Sequence, residues 1–269
     1  MTRIFLALTA VACLSAGCSN NSVTGRSQLT LLPESELQSM AVSEYQTFLS
    51  SNKVISPSTS KDAEMVTRVG QRITAAVQQY YAQKGISSQL DGYKWEYKLV
   101  DSKEVNAWCM PGGKIVVYTG LLPITQNEAA LAAVMGHEVS HAIFQHGNER
   151  MSQGMVQQGL GSALSVALSS KPAATQNLFM TAYGVGSNVL GTLPFSRKHE
   201  LEADRYGLIW TAMAGYNPQE AINLWKRMET ASNGQKPPEF LSTHPSEGRR
   251  ITELEKHMQE ALTYYKPVK

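Results

Sequence analysis

Apolar residues recur at intervals of three and four between residues 62 and 83, where Val66, Val69, Ile73 and Val77 fall on one face. That period predicts a long amphipathic helix. An earlier helix is expected from Pro33-Glu34-Ser35-Glu36 to about Leu49, followed by a loop at residues 52–60. Two runs rich in β-formers, residues 94–100 and 114–119, flank the turn Met110-Pro111-Gly112-Gly113 and predict a small sheet. The next helix is announced by Thr125 and Glu128 in a capping-box spacing, continues through the apolar residues 129–135, and is expected to close at Gly147. Further helices are expected over residues 196–214, ending at Gly215, then from Asn217-Pro218-Gln219-Glu220, and from about Ser246 to Leu262. The expected class is α+β, mainly helical, with a small β-sheet beside the helix that starts near Glu128.

The ends of the chain differ in character from its middle. Residues 1–17 carry Arg3, an apolar run from Ile4 to Leu14, and Ser15-Ala16-Gly17 ahead of Cys18. This is the pattern of a secretory signal, too short to span a bilayer as a mature helix. Small residues before a cysteine resemble a bacterial lipoprotein box, although the leucine stands four residues before Cys18 where three is usual. The resemblance implies acylation of Cys18, with Ser19 after it favouring the outer membrane of the cell envelope. Residues 18–32 then read as a flexible tether, most clearly over the Ser/Asn/Thr/Gly-rich stretch 19–27, and residues 33–269 as one domain.

Composition excludes some partners. With 24 Lys and Arg against 22 Asp and Glu the net charge is +2, which gives no electrostatic footprint for a nucleic acid. Of the three cysteines, Cys13 lies in the signal and Cys18 at its end, so Cys109 has no partner for an intrachain disulfide. Residues 151–194 contain a single charge, Lys171. The amides of Gln153, Gln157, Gln158, Gln176, Asn177 and Asn188 argue against a transmembrane hairpin and favour a covering helical pair, a lid.

Candidate chemistry is concentrated at His137-Glu138-Val139-Ser140-His141. On a helix, four residues turn about 400° and rise about 6 Å, which sets two imidazoles on one face at the separation one zinc ion needs. Glu138, offset by about 100°, is placed to take a proton from a water at that ion. Phe144 and Gly147 stand where a metzincin extension needs Gly and His, which excludes that clan. His146 and Glu149 are too far along a continuous helix to share the ion. The helix of residues 196–214 offers Glu200 and Asp204 one turn apart on one face, with Glu202 roughly 200° from Glu200. One carboxylate at that spacing can bind zinc and the other can fix a ligand histidine.

These motifs, together with Asn106-Ala107-Trp108, Pro111-Gly112-Gly113-Lys114-Ile115, Gly120-Leu121-Leu122, the run 196–204, Thr243-His244-Pro245 and Arg250, resemble family 48 of the metallopeptidases. These are gluzincins of zincin fold that include HtpX and CAAX prenyl proteases, and the chain is most similar to a periplasmic lipoprotein branch of the LoiP type. The resemblance implies one Zn2+ per chain, Glu200 as third ligand beside His137 and His141, and Asp204 supporting a ligand histidine. It implies that His244 and Arg250 approach the active site, where they are expected to donate to a developing oxyanion. It further implies cleavage of unfolded or misfolded envelope proteins, with membrane contact through the lipid anchor and outer-membrane assembly machinery or a partner protease as associates. A zinc-stabilised chaperone or adaptor for outer-membrane protein assembly is the rival expectation. The strand at residues 114–119 is expected as the edge that pairs with an extended peptide, with residues 106–108 near the cleft. Cys109 is expected as a packed free thiol, with a metal-capping thiolate as the alternative.

Overall fold

A computed structural model describes residues 18–157, 173–185, 196–232, 239–244 and 249–267. Its strands are β1 (Cys18–Asn20), β2 (Ser27–Leu29), β3 (Val54–Ile55), β4 (Glu96–Val100), β5 (Ala107–Met110) and β6 (Lys114–Tyr118). Its helices are α1 (Glu34–Ser51), α2 (Lys61–Gln83), α3 (Leu122–Thr125), α4 (Glu128–Ile143), α5 (His146–Gln157), α6 (Ala173–Ala182), α7 (Arg197–Met213), α8 (Glu220–Ser232), α9 (Glu239–Thr243) and α10 (Arg250–Tyr264). The class is the mainly helical one expected, with a four-stranded sheet in the order β3-β4-β6-β5. Strand β4 runs parallel to β6, and β5 pairs antiparallel with β6 through a turn in which Gly112 and Gly113 take φ of +74° and +81°.

The sheet separates two apolar layers by the two-residue period of its strands. Ala107, Cys109, Leu99, Ile115 and Val117 face α2 and α4, where Val66, Val69, Ile73 and Val77 are all buried. Trp108, Met110, Val116 and Tyr118 face the other way, onto Leu37, Met40 and Tyr45 of α1 and onto Met151, Met155 and Phe179 of α5 and α6. The helical period read from α2 therefore marked its core face correctly. Helix α2 starts where Ser60 accepts a hydrogen bond from the Ala63 amide.

Four expectations change in the structure. Strand β6 is interior, and the edge next to α4 is β5, whose four residues are buried on both faces and therefore show no alternation. The cap of α4 is Asn127, whose side chain accepts from Ala130 N, while the Thr125 hydroxyl turns to Leu122 O. Helix α4 stops at Ile143 rather than running to Gly147, because Gln145 takes a left-handed φ of 56° and a new helix starts at His146. Residues 18–32, expected as a tether, instead form the β1–β2 hairpin and dock on α5: Gln28 donates to Phe144 O at 2.6 Å, and Arg26 forms a bidentate pair with Glu149 at 2.8 and 2.5 Å. Of the expected lid, residues 158–172 and 186–194 lie outside the described residues. The described part, α5 and α6, packs over the sheet, with Phe179, Ala182, Tyr183 and Val185 in the layer of Trp108 and Met110. Among the described residues no helix is long and apolar enough to cross a membrane.

Helices α4 and α7 approach to backbone contact because each carries a glycine at the crossing. A Cβ on Gly207 would lie 3.0 Å from His137 N, and one on Gly136 would lie 3.0 Å from Gly207 O. Gly207→Val is therefore expected to wedge α4 and α7 apart and to lower the unfolding free energy by about 1–3 kcal/mol. An unchanged midpoint in urea would show that the helices do not meet there.

Candidate metal centre

The crossing at Gly136 and Gly207 sets the site, because His137 follows Gly136 directly and Glu200 and Asp204 lie on the turns of α7 that precede Gly207. His137, His141, Glu200 and His244 each offer one ligand atom, and these four atoms all lie within 4.8 Å of one another. His137 Nε2 is 3.0 Å from His141 Nε2 and 3.2 Å from His244 Nδ1. Glu200 lies 3.5 Å from His137 Nε2, 3.4 Å from His141 Nε2 and 3.0 Å from His244 Nδ1. Tetrahedral zinc with bonds near 2.0–2.1 Å needs donors roughly 3.4 Å apart, and the set fits that requirement. Burial, then the charge of Arg250, holds His137 well below the ordinary histidine range, and burial does the same for His141. Neutral imidazoles aimed at one point present lone pairs that repel one another unless a cation lies between them.

Two of the donors, His137 and Glu200, are held from behind. The carboxylate of Asp204 lies 3.0 Å from His137 Nδ1, which assigns the proton to that nitrogen and frees Nε2 for the metal. Arg250 donates to Glu200 Oε2 at 2.7 Å and to Asp204 Oδ1 at 2.6 Å, and its guanidinium stacks 3.6 Å above the Trp225 ring. Burial opposes ionisation of Glu200, yet the adjacent His244 and Arg250 hold its carboxyl well below the usual range. Asp204 is pushed up to about 6 by burial, against the pull of Arg250. Glu138 is raised well above its ordinary value by burial and then by the charge of Glu200. Its Oε1 has no hydrogen-bond partner and lies 3.5 Å from His244 Nε2.

His137, Glu138, His141, Glu200, Asp204, His244 and Arg250 are thus brought together and buried. Two of them stand differently from the sequence expectation. Arg250, expected to donate to an oxyanion, points Nη1 at Glu200 Oε2 and Nη2 at Asp204 Oδ1. His244 stands among the donors as a fourth corner, a place its Thr-His-Pro context did not reveal. Cys109 is buried with its thiol pushed up by burial, and it is outside the four-donor group, as the packed-thiol reading expected. His146 is not a ligand, but the break at Gln145 swings its ring back to 2.9 Å from His141 Nδ1. The sequence signalled a stop at Gly147, two residues later than the break.

The sequence profile of peptidase family M48 matches residues 68–258, a span that contains every one of these residues. The chain belongs to peptidase family M48. Its fold is the zincin fold of that family, and M48 peptidases are zinc enzymes. Relatives include the mitochondrial metalloendopeptidase OMA1 of Arabidopsis thaliana, 37% identical over 184 residues that make up 68% of this chain and 36% of that one. The human mitochondrial metalloendopeptidase OMA1 is 30% identical over 248 residues, 89% of this chain and 46% of its own. The beta-barrel assembly-enhancing protease of Escherichia coli is 30% identical over 165 residues, 59% of this chain and 33% of its own. The M48 chain thus matches between 33% and 46% of the length of these relatives.

Asp204→Asn keeps the shape of the side chain and removes the charge that fixes His137. Zinc affinity, measured by competition with a chromophoric chelator, is expected to fall about 10–100-fold. An unchanged affinity would remove Asp204 from the support of the centre.

Proposed function

We propose that the chain is a zinc metalloendopeptidase that cleaves unfolded or misassembled proteins of the bacterial cell envelope, anchored at the outer membrane through acylated Cys18. The observation that carries the reading is the buried group of four possible ligand atoms within 4.8 Å of one another, with the carboxylate of Glu138 beside it. His137, His141 and Glu200 would hold a zinc ion, which when bound would supply Lewis acidity toward a peptide carbonyl and a more acidic water. Glu138, buried beside the donor group with Oε1 free of any hydrogen-bond partner, would take a proton from a water and hand it to the leaving amine. Arg250 keeps Glu200 ionised and in register.

A closed set of four protein donors is the pattern of a structural site, whereas a catalytic site keeps one position open. His244 is the donor that belongs to neither α4 nor α7, so we assign to it the position that a water would take in a catalytic site. The name of the Escherichia coli relative supports an envelope task, while the OMA1 relatives are mitochondrial. The signal-like residues 1–17 and Cys18 favour the envelope.

Degradation of casein by wild type and by Glu138→Gln, at equal measured zinc content, tests the chemistry. Loss of at least about 100-fold is expected in Glu138→Gln. Suppression of aggregation by both proteins without cleavage by either would favour the chaperone reading. In the same assay His244→Ala is expected to keep its zinc and to cleave faster; slower cleavage would return His244 to the oxyanion role. In a bacterial host, Cys18→Ser is expected to leave the outer-membrane fraction, and retention there would refute the lipid anchor.

A further inference from the structure

Behind His141 lies a second set of buried charges that the chemistry above does not use. His141 Nδ1 is 2.9 Å from His146 Nδ1, and His146 Nε2 is 2.8 Å from Glu202 Oε2. Glu202 Oε2 accepts from Arg26 Nε at 3.0 Å, and the two Nη atoms of Arg26 grip Glu149. Glu149 also accepts from Gln28 Nε2 at 2.7 Å and lies 3.3 Å from His199 Nε2. The His199 ring stacks on His146 with centroids 4.4 Å apart.

The order of donors along this chain is fixed by chemistry. A carboxylate only accepts, so His146 carries its proton on Nε2 toward Glu202. Its Nδ1 therefore accepts, and His141 must carry its proton on Nδ1. That leaves His141 Nε2 as a lone pair aimed at the other donors. His137 gets the same service from one residue, Asp204, in direct contact. His141 gets it through two residues, and the second of them, Glu202, is held by a residue of the hairpin.

We propose that Arg26 is a positioning residue for the metal centre. From the β1–β2 hairpin it fixes Glu202 with Nε and Glu149 with both Nη atoms, Glu202 fixes His146, and His146 sets the orientation and tautomer of His141. This rests on the reading of His141 as a metal ligand, but not on cleavage. An arginine is required because one planar fork serves two carboxylates at once, which a lysine ammonium cannot do with the same geometry. The stretch between Cys18 and residue 32 is then part of the support of the centre, and anything that lifts it off α5 slackens a ligand.

The test uses the full chain, purified in detergent, with zinc affinity by chelator competition and the visible ligand-field absorption of the cobalt(II) form as readouts. His146→Leu is expected to weaken zinc about 10–100-fold, and Arg26→Met on the order of 10-fold with an altered cobalt spectrum. Arg26→Lys is expected to recover less than half of that loss. Arg205→Met, also on α7, breaks the half-exposed pair of Arg205 with Glu260 of α10 and is expected to leave both readouts unchanged, which separates positioning from stability. Should Arg26→Met fail to fold, Glu202→Gln, nearly the same shape, is expected to weaken zinc on the order of 10-fold. Wild-type affinity and spectrum in Arg26→Met, or in Glu202→Gln where that stands in, would overturn the proposal, as would a wild type that binds no zinc. A wild type that binds zinc but cuts nothing would sink the protease reading and leave this one standing.

Discussion

Two glycines set the geometry on which the centre depends. Gly136 and Gly207 let α4 and α7 close to backbone contact, and in that crossing His137 and His141 lie 3.5 and 3.4 Å from Glu200. A Cβ at either position would meet the opposite backbone at 3.0 Å, so the helices would have to part by a few tenths of an ångström, the scale on which zinc fixes its donors. The sheet and α2 press α4 from one side, and α10 and α8 press α7 and α4 from the other, so the close crossing is held by the apolar core.

Such a crossing forces ionisable groups out of water, where an unpaired charge is costly. Compensation is built in pairs and forks. Arg250 serves Glu200 and Asp204 with one guanidinium, and Arg26 serves Glu202 and Glu149 with another. The two arginines come from opposite ends of the described chain, so the centre is braced by elements that no local stretch of sequence contains. Glu138 is the exception. It is buried, its Oε1 lacks a hydrogen-bond partner, and burial raises its pKa above the usual carboxylate range.

Much of this was readable along the chain. The three- and four-residue spacing of α2, the His-Glu-x-x-His spacing on α4 and the Glu200/Asp204 spacing on α7 are properties of a helix alone, and each holds in three dimensions. Strand β5 was not readable, because a strand buried on both faces shows no alternation. Neither was the break at Gln145, since a glutamine in the left-handed region carries none of the usual turn residues. That break placed His146 against His141, where a continuous helix would have carried it away.

By itself the sequence determined which side chains can do chemistry and which pairs of them share a helical face, because those follow from residue type and the fixed pitch of a helix. Only the tertiary structure decided what faces what across elements. His244 became a fourth donor, Arg250 a support for Glu200, and a polar stretch that read as a tether became the hairpin that seats Arg26. The physical reason is distance along the chain: Arg26 and Glu202 are 176 residues apart, and Arg250 and His137 are 113 apart. Contacts of that span are selected by the packing of the whole core, and no local pattern encodes them.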